Sequence, residues 1–256
     1  ALNRFVAVKN LYEELAENAE RDAVEAPTTA ERRTAARRAL VARAKVSYPL
    51  RNIGICYYFL EDFQLSLAYL GRALEVLTQT GRESEAAGGG LLDINISAGL
   101  AGDAASATEG FDLIGEQQLI YTFAANCHRR MGDFRSAILA YRRRLELFEE
   151  TSDTTDAQAA AAERGKLYNQ LGLLSYQVDD LPAAARYYLL SREACREAEV
   201  PRGETLALVN LSEVALNIAD RLRLARRSTQ AAFPAVDEPE DPDESADLRA
   251  EKQKLR

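Results

Sequence analysis

Tryptophan is absent from the sequence, and methionine and histidine occur once each. Three cysteines, seven prolines and an aromatic share of 7% are the other scarcities. Each of them excludes something. A single histidine, His128, leaves no His-rich metal site and no imidazole pair for a proton relay. Cys56, Cys127 and Cys195 are odd in number and form no C-x-x-C pair, which excludes a disulfide framework and a zinc clip and fits a reducing, cytoplasmic compartment. No run of about 18 apolar residues and no charged-then-apolar leader occurs, so the reading is of a chain with no membrane partner. The formal charge is −8. Eight acids against four bases lie between Asp237 and Arg256, so the tail holds half of the excess and a polyanion is disfavoured as principal partner. The chain starts at Ala1 without Met, which reads as a fragment or a processed product.

What is present is an alanine- and leucine-rich chain of 256 residues, 47% apolar, of a size for one or two domains and of helical rather than sandwich composition. It also repeats itself. The segment Gly54-Ile55-Cys56-Tyr57-Tyr58-Phe59-Leu60-Glu61-Asp62-Phe63 returns as Ala125-Asn126-Cys127-His128-Arg129-Arg130-Met131-Gly132-Asp133-Phe134. A third copy runs from Leu171-Gly172 to Asp180-Leu181, and a weaker fourth from Leu211-Ser212 to Asp220-Arg221. Each copy reads as a helix with a small residue at its middle, a turn ending in Asp, and a second helix. Two helices approach closely only where a side chain is missing, so Gly54, Ala125, Gly172 and Ser212 are expected at the contact on the first helix. Ser66, Ala137 and Ala184 are their counterparts on the second. Asp62, Asp133, Asp180 and Asp220 share a register from which a carboxylate caps the following helix. Pro182 fits a first turn, where a missing N–H does no harm.

These residues resemble the tetratricopeptide repeat (TPR), a helix-turn-helix unit of 34 residues. The spacings between small-residue anchors, 71, 47 and 40, are longer. The chain is in this respect similar to the long-repeat TPR domains of Pins-like adaptors and kinesin light chains, and of some ciliary and other assembly scaffolds. The resemblance implies an all-α fold, an α-solenoid of antiparallel helix pairs wound as a right-handed superhelix, and a concave groove lined by the first helices.

The repeats do not fill the chain. Residues 1–46 read as a helical extension or cap, two helices divided by Pro27 with a capping box at Thr28-Thr29-Ala30-Glu31. Repeat one occupies 47–80 and repeats two to four 116–232, with a second capping box expected at Thr155-Asp156-Ala157-Gln158. Between them, 81–115 holds eight glycines and reads as an insertion, either a disordered loop or an ordered excursion. An acidic, proline-rich linker comes next at 233–247, and 248–256 reads as the start of a further helix with more protein to come.

No enzyme motif emerges, and neither a cofactor nor a metal is expected. His128 and Cys127 are neighbours in sequence but point about 100° apart on a helix. The groove is the more informative feature. Its expected residues are Arg51, Asn52 and Tyr58 in copy one, Asn126, Arg129 and Arg130 in copy two, Lys166, Asn169, Gln170 and Tyr176 in copy three, and Asn210 in copy four. A carboxamide donates and accepts together, so a ladder of them can serve the backbone of an extended peptide. The ladder resembles the Asn-Asn-Leu-Gly/Ala groove pattern of kinesin light chains, kept in part at Arg51-Asn52-Ile53-Gly54, Asn169-Gln170-Leu171-Gly172 and Val209-Asn210-Leu211-Ser212. The carboxylate clamp of chaperone-binding TPR domains does not align, because Thr122 stands where its first lysine belongs. The expectation is a non-catalytic scaffold or adaptor, a subunit of a larger assembly that holds a peptide or helix in its groove. The alternative is a nucleic-acid-binding helical repeat using Arg142, Arg143, Arg144, Arg221, Arg223, Arg226 and Arg227, although no stacking aromatics are interleaved with them.

Overall fold

Three turns of the chain are built alike. Glu61, Gly132 and Asp179 adopt φ of 61°, 79° and 65°, the left-handed conformation that ends a helix. The next N–H, of Asp62, Asp133 or Asp180, donates to the carbonyl five residues back, of Tyr57, His128 or Ser175, at 2.9–3.0 Å. The same aspartates then accept from the backbone of Leu65, Ser136 and Ala183, each at 3.1 Å. One residue thus closes the helix behind it and caps the helix ahead. The residue after each Asp anchors the turn: Phe63 and Phe134 pack against the core and Leu181 is buried.

The computed structural model describes residues 2–86, 111–151 and 156–232. Among them are nine α-helices and no strand: α1 (Leu2–Glu25), α2 (Thr29–Lys45), α3 (Ser47–Phe59), α4 (Phe63–Ala86), α5 (Leu113–Arg130), α6 (Phe134–Thr151), α7 (Ala157–Gln177), α8 (Leu181–Glu197) and α9 (Pro201–Ala232). The fold is all-α, a helical-repeat solenoid in which neighbouring helices pack consecutively. α1 packs on α2, α3 on α4, α5 on α6 and α7 on α8, while α4 meets α5 and α6 meets α7. The chain divides into two units, Ala1–Leu211 and Ser212–Arg256.

In the first unit the small residues meet as their spacing implies. A Cβ on Gly54 would lie 2.9 Å from Leu70 Cγ, and one on Gly172 would lie 2.7 Å from the Tyr188 ring. Ala125, Ala137 and Ala184 are fully buried, as is Ser66, whose hydroxyl donates to the Gly54 carbonyl at 2.8 Å. One core joins Leu50, Leu70, Leu77, Phe111, Leu113 and Ile120, and a second joins Ala125, Ala137, Tyr141, Leu167, Leu171 and Leu174. The capping box of α2 forms, with the Glu31 N–H donating to Thr28 Oγ1 at 3.2 Å and the Thr28 N–H donating to Glu31 Oε2 at 3.1 Å. Pro182 sits in the first turn of α8.

Several expectations are corrected. α4 runs on to Ala86 with Gly81 and Ser84 buried, and α5 begins at Leu113 behind a buried Phe111. The 81–115 insertion therefore has helical, packed flanks, and its remainder, 87–110, lies outside the described residues, as do the linker 233–247 and the segment 248–256. Asp156 caps α7, accepting from Ala159 N–H at 2.9 Å. Thr155 lies outside the described residues.

The fourth copy is not a helix pair. α9 continues through Asp220, which lies inside a helix instead of capping one, and Ser212 is exposed. The cause is local. Ala219 stands where the other copies place Glu, Gly or Asp in the left-handed conformation, and Arg221 replaces the apolar residue that anchors each turn. In the second unit Val214 is buried while Leu216, Leu222 and Leu224 are exposed.

Candidate functional site

The expected groove residues lie on α3, α5, α7 and the first part of α9, and the structure treats them unequally. Asn210 Nδ2 donates to Asn169 Oδ1 at 3.0 Å, so the amides of α7 and α9 touch directly across 41 residues of chain. Asn126 accepts from the Tyr141 hydroxyl at 3.2 Å. Asn52 accepts from Nε and an amino group of Arg51 at 3.3 and 3.1 Å. Among the described residues, three of the four amides therefore use Oδ1 and keep their NH₂ groups, while Asn210 keeps Oδ1 and one N–H.

Arg51 is committed internally. Its guanidinium pairs with Glu116 of α5 and lies 5.4 Å from the centre of the Tyr48 ring. Glu116 is buried, and among the described residues neither its Oε1 nor the buried Ser47 hydroxyl makes a well-aligned hydrogen bond. Burial pushes the Glu116 carboxyl above the usual carboxylate range, against the opposing influence of Arg51 and Ser47, and Asp112 adds to the rise. Sequence reasoning missed Glu116 because its partner is 65 residues distant and nothing near it in sequence signals the pairing.

Tyr58 is half-buried among aromatic rings, edge-on to Phe59 and Phe123 at 5.4 and 5.8 Å and tilted on Phe63 at 5.9 Å. Arg130 is exposed at the end of α5, paired with Glu61 at 2.5 Å and 5.5 Å from the Phe63 ring centre. Lys166 is exposed and pairs with Glu163 at 3.2 Å. Gln170 and Tyr176 are half-buried on α7.

Arg129 differs from all of these. It is half-buried, its Nε is closed off from solvent without an acceptor, and no carboxylate among the described residues pairs with it. Beside it Tyr141 is buried, and burial raises its phenol pKa while the guanidinium groups of Arg129 and Arg144 act against the rise. Tyr141 was not among the expected site residues because it belongs to a second helix, α6.

The residues with reactive side chains are occupied by packing. Cys127 is buried, its thiol donates to Ser66 Oγ at 3.2 Å, and burial pushes its pKa up, so thiolate chemistry is disfavoured there. His128 turns instead toward Asp133, Nδ1 to Oδ2 3.2 Å. The Asp133 carboxyl is held below its usual range by Ser136 first and by His128 second. Among the described residues no group of three His, Cys, Asp or Glu side chains could hold a metal, and no helix is long and apolar enough to cross a membrane. The run Arg142-Arg143-Arg144 is engaged within the protein: Arg142 Nε donates to the Tyr187 hydroxyl at 3.1 Å, Arg143 pairs with Glu146, and Arg144 pairs with Glu163. No known family model matches the chain, and no curated protein matches it.

Proposed function

We propose that this chain is a non-catalytic interaction subunit of a larger assembly, TPR-like in its repeats, that holds an extended peptide or a helix along its first helices in a reducing, cytoplasmic setting. The observation that carries the reading is the Asn169–Asn210 pair. One amide on α7 and one on α9 meet at 3.0 Å and between them retain three N–H donors and an acceptor oxygen. An extended peptide presents alternating N–H and C=O groups, which such a pair can meet without dictating side chains. Asn126, one repeat earlier, keeps its NH₂ group in the same way.

The nucleic-acid alternative rests on seven arginines, of which Arg143, Arg144 and Arg223 are paired with carboxylates of the chain itself. Arg142 and Arg144 are held by Tyr187 and Glu163, and Arg223 pairs with Asp220 at 3.2 Å.

The test is capture of partners from native extract on the full chain, followed by affinity measurements with Asn169→Ala and Asn210→Ala. Losing an amide that bonds the ligand backbone costs on the order of 1–3 kcal/mol of binding. Wild-type affinity in both variants would remove this face from the mechanism.

A further inference from the structure

The chain carries a net charge of −8, yet one part of the proposed groove has an excess of cations. Arg129 lies one turn from Asn126, and Asn126 accepts from the Tyr141 hydroxyl at 3.2 Å. Arg144 lies three residues beyond Tyr141 on the same helix, so two guanidinium groups flank one phenol. Glu163, the carboxylate that Arg144 meets, is shared with Lys166. Among the described residues no carboxylate pairs with Arg129, whose Nε is enclosed and without an acceptor. Half-buried arginines elsewhere in the protein are supplied: Arg43 has Glu20 and Glu83, and Arg51 has Glu116. An enclosed guanidinium lacking its acid has already lost water and gains more from an incoming anion than an exposed one does.

We propose that Arg129, with the free amide N–H groups of Asn126, forms a carboxylate subsite that receives an acidic group of the peptide ligand. This inference rests on the groove reading above and adds a sequence requirement to it. The backbone is met by Asn169 and Asn210 and is indifferent to side chains. Arg129 selects, because a planar guanidinium matches a carboxylate with two parallel hydrogen bonds and rejects the neutral amide. The carboxylate can come from an Asp or Glu side chain or from a peptide C-terminus, and the two sources are separable by experiment.

The experiment selects random peptides on the immobilised full chain from two libraries, one with free C-termini and one displayed internally. The best binder is then synthesised as the acid, as the C-terminal amide and with each Asp or Glu replaced by its amide. The expected result is that neutralising one carboxylate weakens binding to the wild-type protein by roughly tenfold or more, the range for a hydrogen bond to a charged group. The form that loses affinity identifies the source. Arg129→Gln should weaken the acidic peptide by a similar factor and leave the neutralised peptide nearly unaffected, and Arg129→Lys should retain part of the discrimination. The wild-type arm alone decides the matter if Arg129→Gln melts lower than the parent. Neutral peptides that bind as well as acidic ones, while Asn169→Ala still weakens both, would overturn the subsite and leave the groove standing. Failure to select any peptide would overturn both readings. Oligonucleotide binding that is abolished by Arg129→Gln would show that the guanidinium serves a phosphate, and would also overturn the proposal.

Discussion

The Ser191 hydroxyl donates to the carbonyl of Gly165 at 2.8 Å, and it is the same bond that Ser66 makes to Gly54 in the earlier repeat. A serine on the second helix can reach a backbone carbonyl on the first only because the glycine has no side chain to hold the helices apart. The bond also satisfies a hydroxyl that is almost wholly buried in both places. Close approach and polar satisfaction are therefore one requirement, met by a Gly–Ser pair.

That requirement gives the first prediction. A Cβ on Gly172 would lie 2.7 Å from two atoms of the Tyr188 ring, a flat group with little room to yield. Gly172→Ala should destabilise by about 1–3 kcal/mol. Gly71, in the middle of α4, meets nothing within 4 Å. Gly71→Ala should stabilise by roughly 0.5–1 kcal/mol, because alanine is the better helix former. Denaturant melts of the two variants should move in opposite directions from the parent.

The second prediction concerns pH. The Glu116 carboxyl is raised above its usual range, chiefly by burial, with Arg51 and Ser47 opposing and Asp112 adding. A raised acid binds its proton more tightly in the folded state. Its favourable contribution is therefore fully present below the unfolded value and is lost as pH rises through the folded one. Glu116→Gln keeps an acceptor for Arg51 but cannot titrate. The stability of wild type relative to this variant should fall as pH rises from about 4, the ordinary glutamate range, to neutrality. Parallel urea titrations across that interval measure it, and a difference that grows with pH would contradict the burial argument.

The pattern of errors at the sequence level has a physical cause. Copies one to three were legible because every rule agrees in them: a small residue at the crossing, an Asp cap, and an apolar residue after it. The fourth copy kept the small residue, Ser212, and the Asp, but with Ala219 before Asp220 and Arg221 after it the backbone had no reason to turn. The amides of α7 and α9 were legible because repeats put equivalent positions on equivalent faces. Glu116 and Tyr141 were not, since one depends on Arg51 from another repeat and the other reaches Asn126 from a second helix. Glycine content misled at 81–115, where Gly81 is buried inside α4.

The third prediction separates a capping aspartate from one that only resembles it. Asp180 Oδ1 accepts from Ala183 N–H at 3.1 Å and opens α8. Asp180→Ala should cost about 1 kcal/mol, the usual loss for an N-cap. Asp220 lies within α9 and makes an exposed pairing with Arg223 three residues on. Asp220→Ala should change stability by less than about 0.5 kcal/mol, since exposed pairs of this kind contribute little and alanine favours the helix. Equal losses in both variants would mean that a turn forms at Asp220 after all.

The last prediction tests where the glycine-rich stretch stops being dispensable. Read from composition, everything between Gly81 and Gly115 could be shortened at small cost, because loop closure depends only weakly on length. Phe111 argues otherwise. It is fully buried, its ring centre is 5.0 Å from that of Tyr48, and it belongs to the same core as Leu70 and Leu77. The neighbouring Asp112 caps α5, accepting from Gly115 N–H at 2.8 Å. Truncating a buried phenylalanine removes its transfer free energy and leaves a cavity, so Phe111→Ala should destabilise by about 3–5 kcal/mol. A loop residue would lose almost nothing. Thermal or denaturant melts of this single variant decide between the two, and a melt matching the parent would return Phe111 to the insertion and detach α5 from the core of the first repeat.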